Sequence, residues 1–302
     1  MNRFFKFLGG EKIANAFRRT VSGDPSGAPN WAQQMAVGED EGLFGPESDV
    51  WKVHGSLATL VGGVRALLMQ AAYPAALAGV AQHSNYDTDP LGRLERTTRW
   101  LTITSFGSSE AIDREARRVR EMHSRVVGDY TDKGGSSKRY SAEEERHLLW
   151  VHCAFTESFL TAYRTLDRER DRSVPHYVGE WSKSALPLGL NSAPMSDSEL
   201  SETLEEFISN ELATTPQTRE IVGFIINPPF SPLAMPFYRV LCNAAISTMD
   251  RRVLAILGLK KRSLLWLKII TPQLRILQFL LGDESPSQKI ARARIERLRS
   301  GL

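Results

Sequence analysis

The residues best suited to chemistry in this chain lie between positions 80 and 128. They are two histidines, His83 and His123, and the group Arg93, Arg96 and Thr97, on what the pattern predicts to be successive helices. An imidazole on the apolar side of a helix is the most common protein ligand for a metal ion or a haem iron. Guanidinium groups suit a cofactor that carries carboxylates. If these side chains converge, the sequence predicts a redox enzyme.

The basic group has a purely structural interpretation as well. Arg93, Arg96 and Thr97 stand at i, i+3 and i+4, so they share one face of a helix. Glu95 and Arg99, one turn apart, are typical of a solvated face that is cross-linked by ion pairs. A basic face one helix away from an inward histidine keeps the functional alternative open.

The histidines divide into inward and outward positions. His123 is predicted on the inward side of its helix, where the structural alternative is a buried ring bonded to a backbone carbonyl. His152 is predicted inside a helix beside Cys153, and His83 at a helix end, where the macrodipole favours a cation. Surface roles are expected for the remaining three, which are His54, His147 and His176.

Recognisable catalytic motifs of other classes are absent from the sequence. The chain has no HxxxH or HxxE pair, which argues against a self-contained zinc or di-iron site. Gly62-Gly63 lies in helical sequence and lacks the pattern of a phosphate-binding loop. A nucleophile elbow is likewise missing.

Turn residues and apolar spacing predict helix after helix. Ser48 or Asp49 caps a first helical stretch, which we expect to break at Gly62-Gly63 and again at Pro74. An Asp-Pro pair at 89–90 starts the next helix, and the serines at 108–109 cap a third over about 111–127. Residues 129–140 are predicted as a polar loop, and a capping box at 141–144 opens a helix to about 166. Further helices are expected near 173–187, 196–213, 216–227, 234–257 and 262–281.

Composition narrows the class of protein. Convincing period-two alternation is absent, so we expect an all-α, single-domain chain. A net charge of +3 is too balanced to indicate a nucleic-acid partner. Cys153 and Cys242 form no CxxC pattern, so both are expected to be buried thiols in a reducing compartment.

The two ends of the chain differ from its centre. Residues 22–50 are rich in Gly, Pro, Ser and acidic residues, as in a loop or arm. The apolar run near the N-terminus is too short for a signal peptide, and no apolar stretch reaches the length of a membrane span, so a cytoplasmic location is expected. Residues 260–281 and the tail 289–301 combine bulky apolar residues with cations. Two interpretations remain: a helix at a membrane surface, or a core helix followed by a solvated C-terminal helix.

Five blocks of sequence carry a family resemblance. In order they are GGVRALLMQ, AYPAALAGVAQHS, DPLGRLERT, REARRVREMHSRVVG and LLWVHCAFTESFLTAY. They resemble the MpaB and latex-clearing-protein (rubber oxygenase) superfamily from about residue 51 to 163, and more weakly to about 260. The implied division is an N-terminal arm and loop over 1–50, a family domain over 51–260, and a C-terminal helical extension packed on it over 261–302.

The resemblance implies an all-α fold with a globin-like core that binds haem b through one proximal histidine. By position that iron ligand is His123, with Arg93 and Thr97 in the haem pocket. Latex-clearing proteins carry a lysine that can approach the iron where this chain has Arg96. Because arginine hardly ever deprotonates, Arg96 is expected to direct its charge at substrate or haem propionate instead. His83 and His152 are implied as pocket or supporting positions.

One further departure concerns a dipeptide. Tyr73-Pro74 stands where the family often has His-Pro, so a different polar partner is expected there.

The activity that the resemblance implies is O₂-dependent oxidation of a hydrophobic molecule in a dry pocket. Candidate lining residues are Leu94, Leu101, Val119 and Phe155. Two alternatives stay open: a haem enzyme that oxidises a small polar metabolite, and a helical protein that binds haem or lipid without catalysis, with weak membrane-surface association through its C-terminal segments.

Overall fold

Helices supply most of the regular structure in the computed structural model, which describes residues 11–22, 24, 26–83, 90–166 and 173–301. In chain order they are α1 (Glu11–Ser22), α2 (Asp49–Gly55), α3 (Thr59–Ala71), α4 (Pro74–His83), α5 (Pro90–Phe106), α6 (Ser109–His123), α7 (Glu145–Leu166), α8 (Tyr177–Trp181), α9 (Asp197–Asn210), α10 (Pro216–Ile226), α11 (Met235–Thr248), α12 (Arg251–Ile256), α13 (Leu265–Leu281) and α14 (Pro286–Ser300). Short 3₁₀ turns cover Asn30–Ala36, Ser182–Ser184 and Leu186–Leu188. The expected single, mostly helical domain is confirmed; its globin-like character stays a prediction.

The centre of the fold is the pair α3 and α7, which pack along each other. A break at Gly62-Gly63 was the wrong prediction, since α3 runs through both glycines. The reason is close packing: a Cβ on Gly62 would lie 2.6 Å from a ring carbon of Phe159. The break at Pro74 is confirmed, because α3 and α4 meet there at a bend of 105°.

The lengths of the helices bear on membrane insertion. No single helix in the described ranges is long and apolar enough to cross a membrane. The segments Thr59–Ala71 and Pro74–Val80 pass that test only when they are taken together across their bend.

A small hairpin replaces the polar loop expected over 129–140. Strand β1 (Val127–Thr131) pairs in antiparallel register with β2 (Ser137–Ser141), so that Val127 faces Ser141 and Thr131 faces Ser137. Most side chains of the hairpin are exposed or half-buried, which explains why no apolar alternation marks the strands. The hairpin packs against α4, and consequently α6 ends at His123, four residues earlier than expected.

The two ends of the chain are built into the core rather than left outside it. Within the presumed arm, Trp31, Met35 and Phe44 are buried. The last helix, α14, packs on the 3₁₀ turn Asn30–Ala36 and on α5, and its Arg294 is 1% exposed. A solvated C-terminal helix was therefore the wrong expectation.

Candidate functional site

The candidate residues are carried by a helical hairpin made of α5 and α6. The two helices are joined at Gly107-Ser108, and Ser108 caps α6 with its hydroxyl, as the sequence predicts. Arg99 and Glu115 lie eight residues on either side of that turn and are in contact, so the helices run antiparallel in this register. The first turns of α5, with Arg93, and the last turn of α6 therefore lie at the same end of the hairpin.

A buried carboxylate fixes the register of this hairpin. The Glu115 side chain has no solvent exposure and accepts hydrogen bonds from two arginines. Arg99 donates from Nε at 2.9 Å, and Arg118 donates from its own Nε at 3.0 Å. The predicted Glu95–Arg99 surface pair does not form, since Glu95 instead accepts a bond of 2.9 Å from the Trp31 indole. Charge pairing between helices thus replaces pairing along one helix.

His123 is the last residue of α6 and is half-buried. Burial lowers the pKa of His123 below its ordinary value, and the negative charge of Glu143 opposes this shift. The ring is therefore neutral at pH 7, with a lone pair on one nitrogen. Its side chain makes no hydrogen bond to another described residue, which separates it from a structural histidine bonded to a carbonyl.

The chain that leaves α6 is fixed by α4. His83, the last residue of α4, donates from Nε2 to the carbonyl of Val127 at 2.7 Å. Gln82 donates to the carbonyl of Asp129 at 2.9 Å. His83 is exposed and committed to the backbone, so in this structure it supports the segment after His123 and does not enclose a pocket.

The basic group on α5 is placed by its backbone. Arg93, Arg96 and Thr97 lie in the first two turns of α5, and the side chains of Arg96 and Thr97 are half-buried. The side chains of Arg93 and Leu94 lie outside the described part of the structure. Of the other residues predicted to line a dry pocket, Val119 is buried, while Leu101 and Phe155 are half-buried.

His152 occupies a separate aromatic cluster on α7. Its ring stacks on Trp181 at 6.5 Å, and the edge of Trp181 in turn meets His54 at 4.4 Å. Burial lowers the pKa of His152 to about 4. Its Nε2 is buried without a hydrogen-bond partner in the structure as described. No ring contact or hydrogen bond between described residues joins His152 to His123 or His83.

Two histidines expected at the surface are buried instead. His54 bonds through Nδ1 to the Ser105 hydroxyl at 2.6 Å and through Nε2 to the Tyr177 hydroxyl at 2.9 Å. His147 is 3% exposed and donates from Nδ1 to the carbonyl of Ser141 at 2.9 Å. Both rings are committed to protein partners, whereas His176 is exposed as expected.

A small polar cavity was not foreseen. Its volume is about 190 Å³, and it is lined by Tyr73, Tyr130, Asp132, Lys133, Gly134, Asn210 and Glu211. Tyr73 donates to Glu211 at 3.1 Å, so Glu211 is the polar partner expected beside Pro74. Arg146 donates to the other oxygen of Glu211 at 2.8 Å. Glu211 follows α9, 138 residues from Tyr73, and no local pattern marks it.

The available donors fit haem better than a bare metal ion. The described residues contain no group of three or more His, Cys, Asp or Glu side chains that could hold a metal. Haem needs only one protein ligand, because the macrocycle supplies four nitrogens. The neutral His123 ring meets that need. Arginines at the same end of the hairpin suit propionates.

Comparison with known proteins gives one match. Residues 51–275 match the model of a family described as ER-bound oxygenase mpaB/B′/rubber oxygenase, catalytic domain. That span covers most of the 302 residues. No curated protein and no solved structure matches the chain.

Proposed function

This chain belongs to the mpaB/B′ and rubber oxygenase catalytic-domain family, and on that premise we propose that it is a haem b-dependent oxygenase. It uses O₂ to oxidise a hydrophobic or small organic molecule. The observation that carries the proposal is the state of His123: half-buried, neutral at pH 7, and without a side-chain hydrogen bond to another described residue.

His123 has the properties required of an axial ligand. A neutral imidazole offers a lone pair to iron, whereas a protonated one does not. Burial lowers its pKa and so keeps the ring in the binding form at neutral pH. When bound through one histidine, haem iron keeps a face open for O₂.

The residues of α5 bind and orient. Arg93 and Thr97 supply hydrogen-bond donors to the propionates from the end of the hairpin where α6 terminates. Arg96 keeps its proton, so it contributes a positive charge toward propionate or substrate and does not bind the iron. The Glu115 ion pairs hold α5 against α6 and thereby fix the distance between these groups and His123.

The remaining histidines support this arrangement. His83 restrains the chain after His123 through its bond to Val127. His152 contributes a neutral, desolvated ring that excludes charge from the interior. The buried, unpaired thiols Cys153 and Cys242 are consistent with a reducing, cytoplasmic compartment.

Absorption spectroscopy tests the cofactor and its ligand. We expect purified or haem-reconstituted protein to show a Soret band, and His123→Ala to lose it. The matched control is His176→Ala, since His176 is exposed and lies outside the site. A normal spectrum in His123→Ala would show that another residue binds the iron. A colourless protein that takes up no haem would overturn the proposal.

Activity is tested separately with the loaded protein. O₂ uptake and product analysis over a panel of apolar and polar substrates should show turnover with the apolar members. Turnover of polar metabolites alone would instead favour the oxidoreductase alternative.

A further inference from the structure

The exposed face of α13 carries a continuous apolar stripe. Leu265, Ile269, Ile276 and Phe279 stand at spacings that place them on one side of the helix. Their exposures are 57%, 37%, 62% and 55%. Pro272, also exposed, lies on the same side between them. Isolated exposed apolar residues need no explanation, but a stripe along four turns of one helix does.

The opposite face of α13 is already used by the fold. Ile270, Leu274 and Leu277 are buried, and the helix packs on α11 and α1. The exposed stripe is therefore not a surface that the described domain needs for its own core. Rotation of the helix would exchange one apolar face for the other and gain nothing.

The charge around this stripe has one sign. Between residues 253 and 282 the chain has five cations and no Asp or Glu. Lys268 and Arg275 lie on α13 and are exposed, and Lys260, Lys261 and Arg262 immediately precede it and are also exposed. An apolar helix face bordered by cations matches a bilayer whose surface carries anionic headgroups.

The last helix, α14, shares this composition but not this availability. Arg294 is buried, Arg292 pairs with Glu284 at 2.7 Å, and Arg299 pairs with Glu41 at 2.8 Å. The internal contacts of the protein account for these cations. Of the two C-terminal segments with interfacial composition, only α13 presents an apolar face outward.

We propose that α13 docks the protein on an anionic lipid surface. The stripe from Leu265 to Phe279 enters the interface between headgroups and acyl chains, while the cations at 260–262, Lys268 and Arg275 face lipid phosphates. The helix lies in the plane of the membrane and does not span it. Docking on this face is independent of haem, so its test stands apart from that of the proposed function.

Vesicle co-sedimentation of the full-length protein tests the proposal. We expect binding to vesicles of phosphatidylcholine with phosphatidylglycerol, weaker binding to phosphatidylcholine alone, and loss of binding as salt rises. Ile276→Glu should weaken partitioning about tenfold or more, because it places a charge in the stripe. Lys260→Gln and Lys268→Gln should each weaken binding to anionic vesicles by about fivefold.

The matched control is Leu233→Glu, since Leu233 is 92% exposed and lies in the loop before α11. Circular dichroism confirms that each variant is folded. Equal binding by Ile276→Glu and Leu233→Glu, or no binding to anionic vesicles, would overturn the proposal. Light scattering without lipid covers the remaining occupant. A dimer that Ile276→Glu dissociates, with no lipid binding, would show that the face belongs to a second copy.

Discussion

His54 shows how its neighbours select one protonation state. The Ser105 hydroxyl donates to the carbonyl of Leu101 at 2.6 Å, so its oxygen accepts from Nδ1–H of His54. Nε2 is then the acceptor and takes the proton of the Tyr177 hydroxyl. A protonated ring would lose that acceptor inside the core. Burial accordingly lowers the pKa of His54 to about 3.

Acid should therefore destabilise the fold through its buried histidines. In the unfolded chain His54 and His152 take up protons near pH 6.5, whereas in the folded chain their pKa values are about 3 and about 4. The unfolded state binds more protons below pH 6.5, so stability is full above that pH and falls below it. The loss approaches, at most, about 1.4 kcal/mol per pH unit for each ring.

Urea unfolding between pH 7 and pH 5 measures this slope before carboxylates titrate. His54→Gln should reduce the slope, while the exposed His176→Gln should leave it unchanged. A free energy of unfolding that is flat over this range would contradict neutral burial of these rings.

Residue-level prediction from the sequence succeeded where the environment is set locally. Burial of Cys153 and Cys242 follows from apolar helical neighbours. His54 and His147 were misplaced because their partners are remote or set by a turn. Ser105 and Tyr177 are 51 and 123 residues from His54. The role of His123 as a ligand stays a prediction.

At the scale of elements, helix caps are local and were therefore predictable. Ser48 and Ser108 each accept a bond from the backbone N–H three residues on. The hairpin β1–β2 was missed because its polar, solvated strands lack an apolar face. Gly62-Gly63 was misread as a break, although glycine in a helix also permits close approach of a neighbour.

The two glycines of α3 provide a matched pair of substitutions. Gly62→Ala should destabilise the protein by about 1–3 kcal/mol, because its Cβ would meet the ring and backbone of Phe159 at 2.6 and 3.2 Å. Gly63→Ala meets nothing within 4 Å and should stabilise α3 by about 0.5–1 kcal/mol. Urea midpoints that shift in the same direction for both variants would contradict the tight α3–α7 contact.

At the scale of the whole molecule, the helical class and single domain follow from periodicity, but the closure of the chain on itself does not. α14 returns to the segment near residues 35–41, about 250 residues earlier in the chain, and no local pattern encodes that contact. The basic tail was therefore interpreted as solvated. The same long-range packing makes α13 and α14 differ, although their compositions are similar.

Arg294 is the residue on which this closure depends most. Its guanidinium donates to the carbonyls of Met35 at 2.7 Å and Phe106 at 3.1 Å, so it joins α14 to the N-terminal segment and to the end of α5. Arg294→Ala leaves these buried acceptors without a partner and should lower the free energy of unfolding by about 2–4 kcal/mol. Arg299→Ala removes only an exposed pair with Glu41 and should cost less than about 1 kcal/mol. Equal urea midpoints for the two variants would mean that α14 is not part of the cooperative core, because a docked helix transmits the loss at Arg294 to the whole domain.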